Sequence, residues 1–211
     1  MQGSPLGTVI VIHGLWMSGL EMIWLEKNLR RIGYRVVLFR YPTVRVELTD
    51  SAEALYRFWQ KIPGPVYMLA HSLGGLLALH MLQRHKEAGN SRMVALGTPF
   101  SGSHSARKIS RFPWIGRRIL GGSLNCGLLH GGPQKVPDGC TVGVIAGNYS
   151  VGISRVLFAL EAPCDGTVSV LETRLSGAEH IQLAHTHMGL IFSRKVVELA
   201  DKFFREGTFH E

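Results

Sequence analysis

The chain has 211 residues and a mass of 23.3 kDa, enough for one full domain and short for two, and a chain of that mass can bury about 70% of its unfolded surface without help from disulfides or a structural metal. Hydrophobic residues at 45%, charged residues at 18% and a mean hydropathy of +0.12 exclude disorder, collagen and a coiled coil. The 23 Lys and Arg exceed the 15 Asp and Glu by 8, yet the basic residues are dispersed and no nucleic-acid-binding signature accompanies them, so nucleic acid is not expected as a partner.

Thr8 to Ile12 reads as a first strand, ending at His13-Gly14. Leu20 to Ile32 follows as a helix, with Ile23, Trp24, Lys27 and Arg31 at amphipathic spacing and Gly33 closing it. Arg35 to Phe39 is a second strand, and Thr49 to Lys61 a second helix with Asp50 and Ser51 as candidate caps. Val66 to Ala70 is a short apolar strand that runs directly into His71-Ser72-Leu73-Gly74-Gly75 and a third helix. Met93 to Leu96, Thr141 to Ala146 and Glu179 to Leu183 add three strands, and a last helix runs from Leu190 to Phe204. This alternation predicts an α/β fold of about six mostly parallel strands with helices on both faces. Between Phe100 and Gly139 the periodicity gives way to Gly-, Pro- and Ser-rich sequence, which suits an irregular segment covering a site, a lid-like insertion at about 100–139 in a single domain spanning 1–211.

A serine hydroxyl is a weak nucleophile unless a base takes its proton, and it has to project where a substrate can approach. A tight strand-to-helix turn gives that exposure and needs very small residues two before and two after the serine. Ala70-His71-Ser72-Leu73-Gly74 meets the requirement, with alanine in the first small position. Free N–H groups at the start of the following helix put the Leu73 N–H where it can hold an oxyanion. The plain alternative is an ordinary strand-to-helix turn. Farther on, Cys164-Asp165-Gly166-Thr167-Val168 sets a carboxylate in a turn, where it can orient an imidazole and stabilise its charged form; Asp138 and Glu161 are rivals. His180, His185 and His187 crowd the region before the last helix. His187 is preferred because it lies just ahead of Met188-Gly189-Leu190, with His185 as the alternative. No ligand spacing completes a metal site there.

The three cysteines, Cys126, Cys140 and Cys164, are odd in number and form no C-x-x-C pair, which points to a reduced, cytoplasmic setting. No secretory leader and no membrane-spanning stretch is read in the sequence. Arg107, Lys108, Arg111, Arg117 and Arg118 alternate with Ile109, Phe112, Trp114 and Ile115, as suits peripheral contact with an anionic lipid surface; a solvated basic loop fits as well, because Pro113 and Gly116 interrupt any helix.

VIHGLWMSG (Val11 to Gly19), LAHSLGG (Leu69 to Gly75), LGTPFSGSHSA (Leu96 to Ala106), CDGTVSV (Cys164 to Val170) and HMGLIFSRKV (His187 to Val196) together make the chain resemble the α/β-hydrolase superfamily, and within it the small bacterial lipase and esterase branch. The resemblance spans nearly the whole chain and implies a reduced α/β-hydrolase fold, since the first antiparallel strands of fuller relatives have no counterpart before the His13-Gly14 strand. It implies the chain order nucleophile, acid, base, hence Ser72, Asp165 and His187 as a catalytic triad. It also implies that the loop after His13-Gly14 supplies a second oxyanion donor, the Leu15 N–H, beside Leu73. The expected reaction is hydrolysis of a small-molecule ester or lipid, with a hydrophobic acyl chain, through an acyl-enzyme and without any cofactor. A thioesterase, amidase or acyltransferase uses the same residues, and a non-catalytic binding module uses the same fold.

Overall fold

The run Thr-Val-Ile-Val-Ile forms a strand, β1 (Thr8–Ile12), in which every residue is buried, as a strand covered on both faces demands. The computed structural model describes residues 5–44, 47–110, 128–129, 131–150 and 161–210. With β2 (Arg35–Phe39), β3 (Val66–His71), β4 (Arg92–Leu96), β5 (Thr141–Gly147) and β6 (Glu179–Leu183), β1 builds a wholly parallel sheet in the order β2-β1-β3-β4-β5-β6. A six-stranded parallel sheet flanked by helices is the α/β architecture that the alternation of strands and helices predicts.

Because side chains alternate across a strand, each central strand feeds two cores. Ile10, Ile12, Met68, Ala70, Met93 and Ala95 face one way and pack against α2 (Leu48–Trp59) and α3 (Leu73–Arg84). Val9, Val11, Leu69, Val94 and Leu96 face the other way, onto α1 (Ile23–Arg31) and α5 (Arg194–Glu206). The chain leaves β1 toward β2 on one side and leaves β3 toward β4 on the other. The carboxyl ends of β1 and β3 therefore flank the point where the strand order reverses, which in open α/β sheets is where a crevice opens.

Several elements differ from the periodicity, and the first helix opens as a 3-10 turn over Leu20–Met22 before α1 begins at Ile23. The α2 helix begins at Leu48, so Asp50 lies in its first turn and Ser51 is buried within it; neither caps it. Gly189–Phe192 is a 3-10 turn, and α5 starts only at Arg194, because Ser193 Oγ accepts the Val196 N–H at 3.3 Å and closes the helix there. Within the segment expected to be irregular, α4 (His104–Ser110) forms, its first turn held by Ser103 Oγ, which accepts the Ala106 N–H at 3.2 Å. The basic and aromatic mixture from Arg111 to Leu120, with Arg117 and Arg118, and Cys126 lie outside the described residues. Among the described residues no helix is long and apolar enough to cross a membrane.

Candidate active site

The turn from β3 into α3 puts Ser72 at φ 53° and ψ −121°, a conformation that costs a non-glycine residue about 1–3 kcal/mol and persists only where its surroundings enforce it. Ser72 N–H is tied to Leu96 O at 2.9 Å, at the end of the neighbouring β4. The need for a small residue two positions on is steric: a Cβ on Gly74 would stand 2.6 Å from His13 O and 2.7 Å from Ile12 O. Helix α3 thus leaves the elbow pressed against the end of β1, and the Ser72 turn meets the His13-Gly14-Leu15 loop. Among the described residues neither the Leu15 N–H nor the Leu73 N–H is engaged in a hydrogen bond.

Asp165 follows β5 in a turn closed by its own N–H on Val168 O at 3.0 Å. Its carboxylate is buried, and Oδ1 accepts the N–H groups of Thr167 at 2.9 Å and Val168 at 2.8 Å. Oδ2 accepts from His187 Nδ1 at 2.6 Å, and His187 N–H donates to Asp165 O at 2.9 Å, so backbone and side chain bind the two loops together. With Nδ1 donating to the carboxylate, Nε2 is the nitrogen left for other chemistry. His187 and Ser72 line one cavity of about 340 Å³, walled by Leu15, Trp16, Met17, Leu128, Val168 and Met188 among others. No hydrogen bond joins Ser72 Oγ to a described residue; such contacts commonly tighten only when substrate is bound.

The rivals stand elsewhere. Asp138 is fully exposed beside Lys135, and Glu161 borders a separate cavity with His104 and Glu172. His185 Nε2 lies 2.6 Å from Ser193 Oγ, on the cap of α5, and His180 Nε2 lies 2.8 Å from Thr173 Oγ1. Burial, reinforced by Arg174, pushes the His180 imidazole down to about 4.

Two histidines carry structure beside the site. His13 stacks on Tyr41, ring centroids 4.7 Å apart, and Tyr41 O–H donates to His13 O at 3.0 Å; burial lowers the His13 pKa, so the ring is a neutral brace for the loop. His71, immediately before Ser72, is buried and donates from Nε2 to His187 O at 3.2 Å. Burial, with the nearby His187 adding to it, pushes His71 down to about 3, so it supports the loop of His187 as a neutral ring. Sequence reasoning assigned His71 no role; its position inside the serine turn was the only signal. Nor did it single out Glu172, whose carboxylate accepts the His104 N–H and, at 2.7 Å, the Ser169 N–H. Together with the Ser105 Oγ–Thr167 O bond of 2.8 Å, this fastens α4 to the loop that carries Asp165. Among the described residues no group of three His, Cys, Asp or Glu side chains is disposed to hold a metal ion.

A six-stranded parallel sheet with a strained serine turn after β3, a buried carboxylate after β5 and its histidine partner after β6 is the arrangement of the α/β hydrolases. Residues 9–166 match the alpha/beta hydrolase family, and the chain belongs to it. Its fold is similar to that of a lipase from Bacillus licheniformis in mature form, with a TM-score of 0.69 and 17% identity over 98% of this chain and 93% of that one. It is also similar to a metagenomic carboxyl esterase, with a TM-score of 0.70 and 15% identity over 99% of this chain and 77% of that one. Lipase B of Aspergillus fumigatus aligns with a TM-score of 0.69 and 15% identity over 95% of this chain and 52% of its own. No curated protein matches the chain at a significant level.

Proposed function

We propose that the protein is a serine hydrolase that cleaves carboxylic esters by two-step acyl transfer. His187 Nε2 takes the Ser72 hydroxyl proton as Oγ attacks the ester carbonyl, and the tetrahedral oxyanion is held by the Leu15 and Leu73 N–H groups. Collapse expels the alcohol, which receives the proton from His187, and leaves an acyl-Ser72. Water, deprotonated by the same imidazole, then releases the acid. Asp165 holds the imidazole with Nδ1 protonated and stabilises its charged form.

The observation that carries this reading is the 2.6 Å contact between His187 Nδ1 and Asp165 Oδ2, made by a histidine that shares its cavity with Ser72. The free N–H groups of Leu15 and Leu73 support the oxyanion assignment. Lipase and esterase neighbours in fold support ester chemistry. Trp16, Met17, Leu128, Val168 and Met188 along the cavity support a hydrophobic acyl chain. Cys140 and Cys164 are free thiols, in keeping with a reduced, cytoplasmic setting.

The test is hydrolysis of p-nitrophenyl esters of two to eight carbons by the parent and by Ser72→Ala, Asp165→Asn and His187→Ala. The parent turns over with a preference for the longer acyl chains, and each variant loses at least about a thousandfold in kcat while remaining folded. Equal rates for the parent and Ser72→Ala would remove Ser72 from the chemistry.

A further inference from the structure

The Leu96-Gly97-Thr98-Pro99 segment has no part in the proton transfers above, yet it reaches the elbow from below. Thr98 is completely buried. Its hydroxyl donates to Ser72 O at 2.9 Å, and the same carbonyl accepts the Gly75 N–H at 3.0 Å. Helix α3 is seated directly on this side chain, since a Cβ on Gly75 would stand 2.0 Å from Thr98 Oγ1 and 2.7 Å from its methyl carbon.

Ser72 C=O and Leu73 N–H belong to one trans peptide plane and point in opposite directions. Whatever fixes the carbonyl therefore fixes the direction of the N–H on the other edge. The restraint matters here because Ser72 is held at φ 53° and ψ −121°, a geometry the chain leaves when its anchors are removed. A hydrogen bond to the carbonyl also polarises the amide and makes its N–H a stronger donor.

We propose that Thr98 is a positioning residue: through its bond to Ser72 O it locks the Ser72–Leu73 peptide plane and so aims the Leu73 N–H at the oxyanion. The proposal rests on the reading of Ser72 as nucleophile. Pro99 lines the cavity and Thr98 does not, so Thr98 acts on the transition state and leaves ground-state substrate binding alone.

The experiment measures kcat and KM for a p-nitrophenyl ester, and the rate of labelling by a fluorophosphonate, in the parent, Thr98→Val, Thr98→Ala and Thr98→Ser, with a melting curve for each. Valine keeps the shape and deletes the hydroxyl; alanine and serine both shed the methyl and differ only in the hydroxyl. Their comparison gives the answer if valine disturbs the packing. We expect Thr98→Val and Thr98→Ala to lose about tenfold or more in kcat and in labelling rate, with KM within about twofold of the parent. Thr98→Ser should stay within about threefold of the parent in both rates. Valine and alanine variants that label and turn over at the parent rate would overturn the proposal while leaving Ser72 in place, as would a serine variant as slow as alanine. A parent that neither labels nor hydrolyses would overturn the reading of Ser72 and the proposal with it.

Discussion

Gly97 sits against the His187–Asp165 pair as Thr98 sits against the elbow. Its φ is +56°, and a Cβ there would stand 3.0 Å from His187 Nδ1 and 3.1 Å from Asp165 Oδ2. An alanine side chain has to push those two groups apart or rotate them, and displacements of an ångström in such a constellation cost about a hundredfold in rate. Gly97→Ala is therefore expected to lose about that much in kcat/KM while keeping a native circular dichroism spectrum. Full activity in that variant would mean that the pair has room to move without consequence. Ser72 and Asp165 stand out in the sequence as candidates because each candidacy depends on near neighbours, small residues around the serine and a glycine turn after the aspartate. His185 and His187 are not separable that way, since two residues between the same strand and helix share one local context. What separates them is a contact to Asp165, 22 positions earlier in the chain. The roles of Gly97, Thr98 and His71 are likewise tertiary, and no local pattern announces them.

At the level of elements, strands were the more legible because a buried parallel strand leaves an unbroken apolar run, and β1, β2 and β6 have the bounds their sequence suggests. Helix starts were less so, because they depend on caps that form in three dimensions. Ser193 is the example: its hydroxyl oxygen accepts the Val196 N–H at 3.3 Å and lies 2.6 Å from His185 Nε2, so a single side chain starts α5 and occupies the rival histidine. Ser193→Ala is expected to cost about 0.5–2 kcal/mol of stability in urea unfolding, the usual range for a lost N-cap. Ester turnover should be unchanged, because the His185 ring bonds the helix cap while the Asp165 carboxylate bonds His187. A fall in kcat comparable to that of His187→Ala would return His185 to the list of bases. The α4 helix has no clear signal in the sequence because it lies among glycines and serines, and it is held by the Ser103 cap and by bonds from Ser105 and His104 to the distant Thr167 and Glu172.

Across the described residues, burial lowers the pKa of four histidines: fully buried His13 and His71, the latter to about 3, and half-buried His80 and His180, the latter to about 4. In the unfolded chain each binds a proton below about pH 6.5, and in the folded protein it does so only at lower pH. Between those limits the unfolded state holds more protons, so stability is fully present above about pH 6.5 and falls as the solution is acidified. The melting temperature should therefore decline from pH 7 to pH 5, and the decline should be shallower in His71→Gln, which keeps a donor toward His187 O without a titrating ring. An unchanged slope in that variant would show that His71 is not a source of the acid sensitivity. The parallel sheet gathers the candidate residues: the ends of β1, β3, β4, β5 and β6 lie level along one edge, so five loops converge on one cavity.

The most direct test of the central claim is labelling with a fluorophosphonate, followed by mass mapping of the modified peptide in the parent and in Ser72→Ala. An activated Ser72 predicts one probe per molecule, confined to the peptide that contains Ser72 and absent from the variant. A folded parent that takes up no probe, or labelling that persists in Ser72→Ala, would contradict it.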